Sequence, residues 1–299
     1  MLRRLPVKLI PIVCGFFWCN AAAASITVDV TSPTTSWTPI TYGSNNPDPS
    51  NDQQTGSSES DIVGDASHPS AYTTFGDAGT ASLTDGTLGF RIRLGADQNP
   101  AGFKGALFVG IDANGDGALD LFIGVNNSGS SDMIGIWNPG TGANTSPNTT
   151  SIVSAALVSY TITAINYNWT AVNSTIDPTV GSATDINGDG KNDYFLTFSV
   201  PFADVIAQLN AQGITGINQN STFSYVVATA TQANSLNQDL NGVGGSYDGN
   251  ATWATLGVLS DPLTGGGIPV PEPSAALVAA VVAAIAIAQS NFRRQSRRS

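Results

Sequence analysis

The chain is short of almost everything that nucleophilic and redox chemistry draw on. Its two cysteines, Cys14 and Cys19, both stand before Ser25. The stretch from Ser25 to Ile268 therefore has no thiol, which excludes disulfide, thiolate and Cys-ligated metal chemistry there. One histidine, His68, stands before Pro69 in a polar stretch read as a solvated loop. Without a second histidine or a cysteine, a His-based triad and a His-rich zinc site both lack parts. Glu59 is the only glutamate of this body, and bases are nearly as scarce. Of 11 Lys and Arg, three stand near the start (Arg3, Arg4, Lys8) and four near the end, leaving Arg91, Arg93, Lys104 and Lys191. Against those four stand 21 acids, so the body carries a net charge of −17. Such a surface repels nucleic acid and anionic membrane and attracts cations.

What is present is Ser, Thr, Asn and Gly between short apolar runs, a composition typical of extracellular β-proteins. Ile26–Val30 alternates like a strand. Residues 31–80 have few apolar side chains and read as long surface loops with one or two short strands, so 25–85 is the loop-rich part of the body. From Leu88 the pattern sharpens. Leu88–Leu94 puts Phe90, Ile92 and Leu94 on one face and Arg91 and Arg93 on the other. Ala106–Ile111, Leu119–Val125, Met133–Trp137, Ala155–Ala164, Tyr167–Ala171, Tyr194–Val200, Thr222–Thr229 and Trp253–Leu259 follow as predicted strands. Between Pro201 and Asn210 the period changes. Phe202, Val205, Ile206 and Leu209 share one helical face, with proline at the start and Gly213 beyond the end. Many strands spaced by polar turns, with one short helix, predict an all-β sandwich or jelly roll.

One chemical motif occurs twice. Asp112-Ala-Asn-Gly-Asp-Gly-Ala-Leu-Asp120 and Asp185-Ile-Asn-Gly-Asp-Gly-Lys-Asn-Asp193 both read D-x-N-G-D-G-x-x-D. In each, oxygens at positions 1, 3, 5 and 9 can converge on a hard cation: Asp112, Asn114, Asp116 and Asp120, then Asp185, Asn187, Asp189 and Asp193. Three carboxylates so close repel one another unless a cation intervenes. Ca2+ suits them, because it accepts many oxygens in flexible geometry. Neither copy is an EF-hand, since position 12 is Ile123 or Leu196 where that motif needs a bidentate Glu. The loops resemble the Asp-rich calcium hairpins of FG-GAP repeats, but two copies do not make a propeller. A third stretch, Asp239-Leu-Asn-Gly, lacks the second Asp and reads as a flexible turn.

The two ends read as sorting signals. Arg3, Arg4 and Lys8 precede the apolar Leu9–Trp18, and Ala22-Ala23-Ala24 supplies the small residues before a cut at Ser25, giving a signal peptide over 1–24. Bulky Phe16-Phe17-Trp18 argues against a lipobox at Cys19. At the other end, over 269–299, Val270-Pro271-Glu272-Pro273-Ser274 precedes an apolar run from Ala275 to Ala288, and then Arg293, Arg294, Arg297 and Arg298. A bilayer takes about 20 apolar residues, which the flanks of this run can supply. The arginines place the C-terminus in the cytoplasm. Val270–Ser274 with this tail resembles the PEP-CTERM sorting signal of bacterial surface proteins. The resemblance implies an exosortase as processing partner, after signal peptidase, with transient anchoring in the inner membrane by the C-terminal helix before delivery to the cell surface. In that family the setting is exopolysaccharide production.

For the body, 25–268, the expectation is a non-catalytic, Ca2+-stabilised structural or adhesive component of the extracellular matrix. The membrane touches it only through the tail, and nucleic acid is not a partner. The alternative is a carbohydrate-binding module acting on exopolysaccharide. Leu107–Val125 followed by the strand, proline and short helix of Tyr194–Leu209 resembles, in pattern, DOMON-like and family 9 carbohydrate-binding sandwiches. Trp37, Trp137, Trp169 and Trp253 would either form a sugar platform or fill the core.

Overall fold

Period-two alternation decides which side chains of each strand meet the opposite sheet. A computed structural model of the chain describes residues 28–264, save 44–46, 56, 98–101 and 130–131. The signal segment 1–24, the Val270–Ser274 motif, the 275–288 run and the four terminal arginines lie outside the described residues. Among the described residues, twelve strands form two antiparallel sheets. The first runs β1 (Thr38–Pro39), β2 (Ala71–Gly76), β3 (Thr87–Leu94), β9 (Tyr194–Pro201), β8 (Tyr167–Ala171). The second runs β11 (Asp239–Leu240), β10 (Thr222–Ala230), β4 (Ala106–Asp112), β5 (Leu121–Asn126), β6 (Met133–Trp137), β7 (Val158–Thr161), with β12 (Leu263–Thr264) also on β10. The fold is all-β, as expected.

The main core lies between the sheets. Phe90, Ile92 and Leu94 of β3 and Leu196, Phe198 and Val200 of β9 face Leu107, Val109 and Ile111 of β4 and Tyr225 and Val227 of β10, all fully buried. Phe90 and Tyr225 meet edge to face across the gap at 5.5 Å. The outer faces are covered as well. Phe108, Phe122, Trp137 and Trp253 form a second cluster outside β4 and β5. Val28, Val30, Trp37, Tyr72 and Phe195 form a third outside β3 and β9. Burial on both faces explains why β4 is a nearly continuous apolar run rather than an alternating one.

The predicted helix is present as α1 (Phe202–Ala211), burying Phe202, Val205, Ile206 and Leu209. Three expected strands change. Residues 28–30 are not extended into a sheet: Asp29 accepts from the Thr31 amide and hydroxyl, which turns the chain. Only Val158–Thr161 of the 155–164 stretch pairs. Trp253–Leu256 is one turn of helix, α2, not a strand. Thr252 accepts from the Thr255 amide at its start and Gly257 closes it at φ 75. A short apolar run cannot tell strand from buried helix by period, and here the capping residues decided.

Arg91 and Arg93 do point away from the main core, but they are fully buried under the outer layer. The Arg91 guanidinium sits 4.4 Å over the Trp37 ring and donates to Thr197 Oγ1 and the Val30 carbonyl. Burial lowers its pKa to about 10. Arg93 donates from Nε to Asp193 Oδ2 at 2.7 Å and from Nη2 at 2.6 Å, with both side chains wholly shielded. Removing one partner of such a pair strands the other charge. Arg93→Met is expected to cost about 3–5 kcal/mol in urea unfolding. Lys191→Ala, which removes only the exposed 3.4 Å contact with Asp189, is expected to cost about 0–1 kcal/mol. Equal losses in the two variants would refute this ranking.

Candidate functional site: the acidic loops

The two D-x-N-G-D-G-x-x-D loops fold alike, and the reason is local. Position 1 accepts from the position 6 amide: Gly117 N to Asp112 Oδ2 and Gly190 N to Asp185 Oδ2, both 2.9 Å. Position 3 accepts from position 5, Asn114 from Asp116 N and Asn187 from Asp189 N. Position 5 accepts from position 7, Asp116 from Ala118 N and Asp189 from Lys191 N. Position 9 accepts from position 2, Asp120 from Ala113 N and Asp193 from Ile186 N. The glycines at positions 4 and 6 take φ +77 and +83 in the first loop and +70 and +82 in the second, left-handed backbone that L side chains avoid. Side chain and amide thus hold each loop in shape, and every carboxylate keeps lone pairs to spare.

Their electrostatics differ. In the second loop Asp193 is paired with Arg93, and Lys191 Nζ lies 3.4 Å from Asp189 Oδ2. Ser58 Oγ donates to Asp189, Asn51 Nδ2 to the Asn187 carbonyl, and Asn187 Nδ2 to the Gly95 carbonyl. This loop is docked on the 51–61 segment and engages two of the body's four bases. In the first loop no ion pair among the described residues reaches Asp112, Asp116 or Asp120. Burial, and then the charges of Asp112 and Asp116, raise the Asp120 pKa to about 6. A cleft of about 120 Å³ opens beside it, lined by Asp112, Asn114, Thr222, Ser224 and Pro262.

The loops lie at opposite ends of the sandwich. Asp112 pairs with Ser224 of β10. The second loop reaches Gly95, whose amide donates to the Asp61 carbonyl, and the adjoining Ser60 carbonyl accepts from Thr229 Oγ1. Ser224 and Thr229 stand five positions apart on β10, about 17 Å.

A third acidic group shares the Thr229 end, and no sequence motif announces it. Asp48, Asp52 and Asp239 each bring a carboxylate oxygen within 4.8 Å of the others, the one set of three acids, histidines or cysteines among the described residues that does so. Asp239 is not in a flexible turn: it pairs with Thr229 as the start of β11 and is buried. Its Oδ2 accepts from the Ile62 amide at 2.5 Å and its Oδ1 from Leu240 N at 2.7 Å. Asp48 Oδ1 accepts from the Gly242 amide. Asp61 stands close by, both oxygens 3.0 Å from the Asn51 amide. Only the Asp239-Leu-Asn-Gly stretch hinted at this place, because its partners stand far back in the chain, before β2.

Comparison with protein-family models, with curated proteins and with solved structures gives no match. The chemistry must therefore come from this chain's own residues. Of the body's four tryptophans, Trp37, Trp137 and Trp253 are buried, and Trp253 Nε1 donates to the Asn144 carbonyl. Trp169 alone is half-buried, stacked on Tyr194 at 5.0 Å with Nε1 donating to Asp97. His68 is not a free loop side chain either, since Nδ1 lies 3.0 Å from Asp65. No helix among the described residues is long and apolar enough to cross a membrane.

Burial, then neighbouring carboxylates, hold the Asp239 pKa up at about 8 and the Asp48 pKa well above the usual carboxylate range. Burial raises Asp61 to about 6 and also raises Asp52. A folded state with raised carboxylate pKa values binds protons that the unfolded chain has released, so stability falls as pH rises between those values. In chelator, the melting temperature is expected to drop from about pH 5 to pH 8, the reverse of ordinary acid denaturation. A melting temperature that is flat or rises across that interval would contradict this.

Proposed function

We propose that this chain is an exported bacterial surface protein, processed at both ends, whose sandwich serves as a Ca2+-stabilised structural or adhesive part of the extracellular matrix. The observation that carries the reading is the pairing of two sorting-type ends with a body whose conspicuous side chains are acidic turns. The N-terminal 1–24 segment directs export, and signal peptidase cuts before Ser25. Val270–Ser274 with the apolar run and terminal arginines then serves as the substrate of an exosortase. The burial of Trp37, Trp137 and Trp253 supports a structural body over a sugar-binding one, because three of the four rings have no free face to offer. The half-buried Trp169 keeps carbohydrate binding as a second reading, open to a glycan pull-down.

The export half is tested by expressing the full chain in a bacterium that carries an exosortase and weighing the product. The expected species begins at Ser25 and lacks the arginine-rich end, while Pro271→Ala with Glu272→Ala leaves the tail attached in the membrane fraction. An uncut 299-residue chain in the cytosol would end this reading.

The calcium half centres on the first loop, where Asp112, Asp116 and Asp120 lack any basic partner among the described residues. At free Ca2+ about 100 times the dissociation constant, binding to the folded state alone adds about 2.7 kcal/mol. Asp112→Asn with Asp116→Asn is expected to abolish that loop's share, and the equivalent change in the second loop to matter less, since Arg93 and Lys191 already offset its charge. Calorimetry checks both, and a second loop that binds Ca2+ more tightly than the first would overturn the ranking.

A further inference from the structure

We propose that Asp48, Asp52 and Asp239 together hold one divalent cation of the Ca2+ class, fastening the 47–55 loop onto the β10–β11 edge of the second sheet. The site is distinct from the two repeated loops, and it does not depend on export or on calcium in those loops.

Convergence alone would not carry this, because acidic side chains gather on many surfaces without an ion. The deciding observation is an orphan. Asp48 is 3 % exposed, yet its Oδ2 has no hydrogen-bond partner. Its other oxygen is held by the Gly242 amide, so this second oxygen is left without a donor on a side chain that meets the other two carboxylates. Neither oxygen of Asp52 makes a hydrogen bond of regular geometry, though the Gly245 amide lies beside them. A buried carboxylate oxygen left bare costs far more than one hydrogen bond returns. Among the described residues no base is placed to answer it: every ion pair lies elsewhere, at Asp65, Asp189 and Asp193.

The donor set selects the class of ion. All candidate ligand atoms are carboxylate oxygens, with neither nitrogen nor sulfur among them, which suits a hard cation and not zinc or copper. Amides orient the ligands from behind. Ile62 and Leu240 hold Asp239, and Gly242 holds Asp48, in the manner of supporting bonds around a metal site. Asp48 and Asp52 come from the N-terminal loop and Asp239 from the far end of the body, so an ion here closes a loop that takes in most of the body.

Equilibrium dialysis of the full chain in detergent at pH 8 counts the ions. A variant in which each repeated loop loses two of its three carboxylates, Asp112→Asn, Asp116→Asn, Asp185→Asn and Asp189→Asn, is expected to retain one bound Ca2+ per chain. Adding Asp48→Asn and Asp52→Asn is expected to remove it. No bound ion in the first variant, or an ion that survives in the second, would overturn the proposal. Should the second variant not fold, Tb3+ decides on the first one. Tyr42 Oη accepts from Asn241 Nδ2, one residue from the Gly242 amide that holds Asp48, which puts its ring beside the cluster as an antenna for a bound lanthanide, and Tyr247, five residues beyond Gly242, is the second antenna tested. Tyrosine-excited emission that Ca2+ displaces and that Tyr42→Phe with Tyr247→Phe diminishes supports the site, and emission without either property refutes it. Loss of ions from the repeated loops alone would defeat the calcium half of the proposed function and leave this site standing.

Discussion

The protein buries carboxylates without burying the bases to match them. Six aspartates are buried among the described residues: Asp48, Asp61, Asp112, Asp177, Asp193 and Asp239. Only Asp193 has an ion-pair partner, Arg93. The others rely on amides and hydroxyls, as Asp112 does on the Gly115 and Gly117 amides and Asp177 on Thr34 and Thr179. A neutral donor offsets part of the desolvation cost of a carboxylate but none of its repulsion from its neighbours. That shortfall makes the ends of the sandwich, where all of these but Asp177 lie, sensitive to protons and to cations.

The same scarcity shapes how the sheets are covered. A strand with apolar side chains on both faces needs a layer on each side. Here no helical layer among the described residues supplies the outer cover; Val28, Val30 and Trp37 cap one sheet, and Trp253 with Leu240 caps the other. Segments that look like plain surface loops are therefore structural. They are held by contacts that reach far along the chain, such as Thr34 to Asp177 and Thr55 to Gln238. Arg91 belongs to this cover, its guanidinium lying over Trp37 and bonded to a hydroxyl and a carbonyl rather than to a carboxylate.

The repeated motif separates local from global physics. Four of its side-chain-to-amide bonds and its left-handed glycines are the same in both copies, because they depend on little beyond the motif itself; only the second donor to position 1 differs, the Gly115 amide in the first loop and the Asp189 amide in the second. Its charge balance differs, because that depends on what lies alongside: Arg93 and Ser58 for the second copy, an open cleft for the first. Two loops identical by motif are thus unequal as cation sites. At the end shared by the second loop, the cluster of Asp48, Asp52 and Asp239 stands close enough to Asp61 for the four charges to act on one another.

Fold class, the main strands from Leu88 onward, the helix after Pro201 and the conformation of the two acidic turns are all legible in the chain before it folds. Each follows from alternation, period or turn chemistry over a few neighbouring positions. The sorting-type reading of the two ends rests on composition alone, and both ends lie outside the described residues. The α2 turn was not distinguishable from a strand, because Trp253–Leu259 is apolar in either role. Nor could the burial of Arg91 and Arg93 be foreseen, since the outward face of a strand becomes a core only when another segment folds over it. The meeting of Asp48, Asp52 and Asp239 belongs wholly to the folded molecule. Pairing Asp239 with Thr229 on β10 carries it to the 47–55 loop, and no local pattern encodes a contact between residues so far apart.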